Sequence, residues 1–121
     1  MFELSQTFAF DAAHTLKRFV SPEEAASSRR IHGHTYTAEV MVRGERQPET
    51  GMVVDLAILR EAIATVRSQL DHHFLDEVPG LGAPTLENLC VFIHSQISKT
   101  VPQVSGVAVS RAAGDRCVYR P

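Results

Sequence analysis

The chain has 121 residues, 44% hydrophobic and 21% charged, with a formal net charge of −2. That length supports one hydrophobic core, so residues 1–121 are read as a single domain. The composition excludes a disordered tail, the charge excludes a broadly basic nucleic-acid or membrane surface, and no apolar run approaches the ~18 residues of a bilayer span.

The N-terminus enters an alternating pattern with no charged and then apolar leader, so the expected location is the cytoplasm. Phe8, Phe10 and Ala12 share a parity with His14, while Thr7 and Asp11 point the other way. This predicts a strand that delivers His14 into a site. Val20 to Arg30 has no strand period and is read as a loop, with at most a helical turn at Pro22-Glu23-Glu24. His32, His34, Tyr36, Ala38, Val40 and Val42 then occupy one parity of a half-buried strand, with Thr35, Thr37, Glu39 and Arg43 on the other. Gly44 to Gly51 reads as a turn and Met52-Val53-Val54 as a short returning strand.

Asp55 sits where a helix N-cap belongs, ahead of an apolar stripe of Leu59, Ala62, Ile63, Val66 and Leu70. Pro79-Gly80 and Gly82-Ala83-Pro84 punctuate a loop. Thr85 is the N-cap expected for a second helix, with Leu86, Leu89, Cys90, Ile93 and Ile97 as its stripe and Pro102 beyond its end. Val104 to Ala112 and Cys117 to Tyr119 read as a closing hairpin turning at Gly114-Asp115. The predicted fold class is α+β: an antiparallel sheet of about four strands with two helices on one face.

Six histidines are present. His32 and His34 lie two apart on a strand, so both imidazoles leave one face about 7 Å apart along the backbone. His14, by the same parity, completes a trio. Three neutral imidazoles with a fourth position left open are the pattern of a catalytic zinc site, and the two cysteines, Cys90 and Cys117, are too few for a thiolate-rich structural one. They are read instead as small packing residues. Asp71-His72-His73 closes the first helix. A histidine there complements the helix dipole, and an adjacent carboxylate that fixes its tautomer also suits it to general acid–base work. His94, at the edge of the second helix's stripe, is read as structural.

Five segments then form a larger pattern: Phe8-Ala9-Phe10-Asp11-Ala12-Ala13-His14, Ile31-His32-Gly33-His34-Thr35-Tyr36, Met52-Val53-Val54-Asp55, Leu70-Asp71-His72-His73 and Pro84-Thr85-Leu86-Glu87-Asn88. Their residues, order and spacing resemble the 6-pyruvoyltetrahydropterin synthase and 6-carboxytetrahydropterin synthase family. The resemblance implies a tunnelling fold assembled as a homotrimer or homohexamer whose sheets join into a barrel. It implies zinc on His14, His32 and His34, proton transfer by Asp71 and His72, and a pterin pocket at Thr85 and Glu87, both of which also have ordinary helix-capping explanations.

Two positions depart from that family. Ser28 stands where the catalytic cysteine is expected, four residues before His32, and a hydroxyl is far less acidic than a thiol. Arg111 stands where a glutamate anchors the pterin's aminopyrimidine edge, eight residues before Tyr119. A carboxylate accepts two N–H donors there, whereas a guanidinium offers only donors. Arg29, Arg30, Arg111 and Arg116 together would favour an anionic ligand, and the first two and Arg116 also read as solvated loop charges.

Three functions follow from the sequence. The first is a zinc-dependent lyase acting on 7,8-dihydroneopterin triphosphate or a relative, with triphosphate elimination and side-chain cleavage. The second is a same-fold zinc enzyme on a different, more anionic small molecule. The third is a non-catalytic ligand-binding paralogue. None involves nucleic acid or a membrane.

Overall fold

Alternation in the first third of the chain produces two long strands. In the computed structural model, which describes residues 1–121, β1 spans Phe2–His14 and β2 spans His32–Gly44. They pair antiparallel with His14 opposite His32 and Ala12 opposite His34. β3 (Val104–Arg111) and β4 (Arg116–Tyr119) complete an antiparallel sheet of order β1-β2-β3-β4. Gly114, at φ +111°, takes the left-handed backbone that closes the last hairpin.

Two helices cover one face. Helix α2 (Leu56–Leu70) starts where Asp55 accepts the Ala57 N–H at 2.9 Å. Helix α3 (Leu86–Ser98) starts where Thr85 accepts the Asn88 N–H at 3.1 Å. Each cap satisfies an N–H that has no partner within its helix. Their stripes meet the even-numbered side chains of β1 and β2 in one cluster of 22 buried residues, among them Phe10, Tyr36, Val40, Leu59, Leu70, Leu89 and Ile93. At roughly 1.5–3 kcal/mol for each large apolar side chain buried, this layer holds the helices against the sheet. The predicted α+β class and four-strand sheet are found as read.

Two sequence readings are corrected. Residues 22–29, read as a loop with a single turn, form an eight-residue helix, α1 (Pro22–Arg29). Ser21 caps it and Glu23 and Glu24 fill its first turn, but Ala25 is its only buried residue. A helix without an apolar stripe leaves no periodic signal. Met52-Val53-Val54, read as a strand, is irregular. Both neighbours of β2 are already taken by β1 and β3, and the segment folds on itself instead, with Gln47 N–H donating to the Met52 carbonyl at 2.9 Å.

No helix is long and apolar enough to cross a membrane. Cys90 is fully buried in α3, and burial pushes its thiol up to about 12. His94 stacks edge-on against Tyr119, with ring centroids 5.5 Å apart.

Candidate metal centre and adjoining cavity

Strand parity and register together assemble the histidines. His14 ends β1 directly opposite His32, which begins β2, and His34 lies two residues further along the same face. Their ring centroids are 4.4 Å (His14–His32), 4.9 Å (His14–His34) and 5.0 Å (His32–His34) apart. One ligating nitrogen from each lies within 4.8 Å of the other two.

The hydrogen bonds around the rings decide which nitrogens are free. His14 Nδ1–H donates to the Thr15 carbonyl at 3.0 Å, and His32 Nδ1–H to the Arg30 carbonyl at 2.9 Å. Each bond fixes the tautomer whose Nε2 carries a lone pair, an arrangement typical of metal-bound histidine. Nε2 of His14 and Nε2 of His34 are buried and have no hydrogen-bond partner. An unpartnered buried acceptor costs about 1–3 kcal/mol, and two converging on one point fit a cation between them. Burial lowers the pKa of both rings, with neighbouring histidines and Arg111 adding to the effect, so both hold the neutral form that ligates.

A cavity of about 210 Å³ adjoins this trio. His14, Tyr36, Thr85, Glu87 and Arg111 line it. Arg111 reaches it because it pairs with Tyr36 across β2 and β3 and so shares the histidines' face. Its guanidinium donates to Asp115 at 2.7 Å, while its Nε–H is buried and unpaired. Asp115 therefore turns back on Arg111, and the position read as a departure carries a cation beside the histidines. The other arginines do not join it. Arg116 faces away from the helices and pairs with Glu39 at 3.5 Å, and Arg29 and Arg30 are exposed around the end of α1.

Ser28 lies in the last turn of α1, where its carbonyl accepts the Leu16 N–H at 2.7 Å and its hydroxyl accepts from Arg18 at 3.1 Å. Leu16 also lines the cavity, so α1 docks beside it.

Asp71 and His72 meet as a pair, with Oδ2 and Nδ1 3.0 Å apart. They do not share the trio's face. Their neighbour Asp11 belongs to the odd parity of β1, bonds Thr35 Oγ1 at 2.5 Å, and clusters with both. Asp11 is a member that sequence reasoning missed; its parity was readable, but the arrival of the end of α2 beside it was not. His72 is exposed and its backbone is left-handed at φ +58°, a conformation costing roughly 1–3 kcal/mol outside glycine. Its N–H donates to the Asp11 carbonyl at 2.7 Å and holds it there.

The Asp11 N–H bond, first, and the His72 ring, second, keep the Asp71 carboxyl below the usual carboxylate range. A depressed folded pKa contributes stability above the unfolded value, near ~3.9, and loses it as pH falls through the folded value. Asp71→Asn is therefore expected to be less stable than the wild type at pH 7, with the difference closing toward pH 3. Thermal unfolding of both proteins across that range measures it, and a gap independent of pH would refute the assignment.

A model of the 6-pyruvoyl tetrahydropterin synthase family matches residues 3–121. The 6-carboxy-5,6,7,8-tetrahydropterin synthase of Synechocystis sp. is 33% identical over 115 residues, covering 90% of this chain and 85% of that protein. The dihydroneopterin monophosphate aldolase of Pyrococcus furiosus is 36% identical over 94 residues, covering 78% and 73%. The structure of Caenorhabditis elegans 6-pyruvoyl tetrahydropterin synthase superposes with a TM-score of 0.85 at 25% identity, covering 99% of this chain and 95% of that one. Three differently named activities thus occur among proteins similar to this one.

Proposed function

The chain belongs to the 6-pyruvoyl tetrahydropterin synthase family, and from that premise we propose that it is a zinc-dependent lyase acting on 7,8-dihydroneopterin triphosphate or a close relative. The observation that carries this reading is the pair of buried, unpartnered Nε2 atoms of His14 and His34, set beside His32. His14, His32 and His34 would hold the metal, which when bound supplies Lewis-acid polarisation of side-chain oxygens and acidifies the neighbouring C–H.

The chain's own groups divide the remaining work. Thr85 and Glu87, at the start of α3, border the cavity that would seat the ring. Asp71 holds the His72 tautomer, and His72 carries a proton to and from the substrate. Ser28, with Arg18 donating to its hydroxyl, is the group offered at the position of the expected thiol. Residues 1–121 act as one unit in this reading.

The dyad and the histidines open on opposite faces of one sheet, so a shared substrate calls for more than one protomer. The outer edge of β1 before Ala9 and the outer edge of β4 have no strand partner in the sheet, as a homotrimer or homohexamer joined edge to edge would use them. A small molecule is the only other partner proposed, and the reading places the protein in the cytoplasm.

Incubating the zinc-loaded protein with 7,8-dihydroneopterin triphosphate and following triphosphate release tests the proposal. Turnover is expected in the wild type and not in His32→Ala. Equal background rates in both would sink it. A second reading, favoured by the unpaired Arg111 Nε–H in the cavity wall, keeps the metal and changes the substrate to one that presents an anion or a carbonyl there.

A further inference from the structure

The chain that follows α2 runs along the free edge of β1 and satisfies its outward donors in sequence. Asp11 N–H donates to Asp71 Oδ1 at 2.9 Å, Ala13 N–H to the His73 carbonyl at 3.2 Å, and Thr15 N–H to Asp76 Oδ1 at 2.9 Å. Alternate N–H groups of an extended edge point the same way, so these three form one row. The last of them belongs to the residue immediately after His14.

Asp76 lies on the 3-10 turn Leu75–Glu77 and grips Thr15 twice. Its second oxygen accepts a hydrogen bond from the Thr15 hydroxyl. Both donors of Thr15 are thereby taken by one carboxylate 61 residues away in the chain. The Thr15 carbonyl is the acceptor for His14 Nδ1–H. Turning that peptide would remove the acceptor, release the tautomer and free a ring that is only 2% exposed.

We propose that Asp76 is a positioning residue for the metal centre, acting through the Thr15 carbonyl to fix the tautomer and orientation of His14. The inference rests on the reading that the three histidines hold a metal. The bidentate grip holds the N–H and the side chain of Thr15, and with them the α-carbon from which the carbonyl projects, while the peptide of that carbonyl is held at its other end by Leu16 N–H donating to the Ser28 carbonyl at 2.7 Å. The group that accepts the second N–H of a metal-bound histidine, here the Thr15 carbonyl, typically sets metal affinity within a factor of about 10 to 100, and Asp76 acts through it.

The test is zinc titration of the apo proteins against a chromophoric chelator, with visible absorption of the cobalt-substituted forms and circular dichroism as a check on folding. Asp76→Ala is expected to lose about 10-fold or more in zinc affinity and to change the cobalt bands. Asp76→Asn keeps an acceptor for the Thr15 N–H and gains a donor for its hydroxyl, so it is expected to stay close to wild type. Thr15→Val removes only the hydroxyl half of the grip and is expected to show a smaller loss in the same direction.

Wild-type affinity and an unchanged cobalt spectrum in Asp76→Ala would overturn the proposal, even with a lowered melting temperature. If that variant does not fold, the same result in Thr15→Val overturns it. A wild-type protein that takes up no zinc refutes the metal assignment itself, which is a separate outcome.

Discussion

Replacing His34 by alanine is expected to lower zinc affinity by more than ~100-fold and to bring lyase activity to background, while the fold survives. The size follows from what the trio lacks. Outer partners of metal-bound histidines already control about 10- to 100-fold in affinity, and removing a ligand itself exceeds that range. No fourth ligating side chain stands with the trio, whose cluster holds only His14, His32 and His34, and the cysteines lie elsewhere, on α3 and β4. The fold survives because the ring sits at the end of the sheet, only partly buried, while Tyr36, Ala38 and Val40 beyond it carry the packing. The apo protein even gains from the change, since a buried acceptor with no partner is removed. Zinc content after dialysis, together with the melting temperature of the apo form, measures both halves. Full zinc occupancy in His34→Ala would refute the ligand set.

This site was legible because one periodicity encodes two things. Alternation over Phe8 to His14 and His32 to Val42 predicts strands, and the same parity puts the three imidazoles on one face. The helices were legible for a comparable reason, as Asp55 and Thr85 are side chains whose capping bonds are local. What stayed hidden depends on topology. Asp71 meets the Asp11 N–H across 60 residues, and no local pattern brings the end of α2 to the edge of β1. Arg116 looked like a companion of Arg111 by composition, yet the register of β3 and β4 sends it to the other face. Helix α1 escaped because it buries a single alanine, and Met52 to Val54 misled because a strand returning from β2 would have to pair beside it, where β1 and β3 already sit.

The register that separates Arg116 from the site also makes Arg111 the most informative position for substrate choice. The guanidinium shares a wall with His14 and Tyr36 and is about three-quarters buried, its side chain 24% exposed. At the corresponding position the family resemblance places a carboxylate, an acceptor for ring N–H donors. An arginine presents donors, so the 2-amino group of a pterin would face N–H with N–H, whereas the 2-oxo group of a lumazine would find a partner. A buried polar group left unpaired costs about 1–3 kcal/mol, or roughly 5- to 150-fold in binding. On the second reading, that of an altered substrate, the wild type is expected to prefer a lumazine over a pterin bearing the same side chain, and Arg111→Glu to reverse that preference. Glu at this position would also meet Asp115, which now pairs with the guanidinium, so the variant should be made in an Asp115→Asn background to remove the repulsion. Calorimetric titration of the two ligands into the wild-type and double-variant proteins gives the ratio directly. An unchanged ratio would remove the support for an altered substrate, and the pterin lyase reading would then stand without a rival at this site.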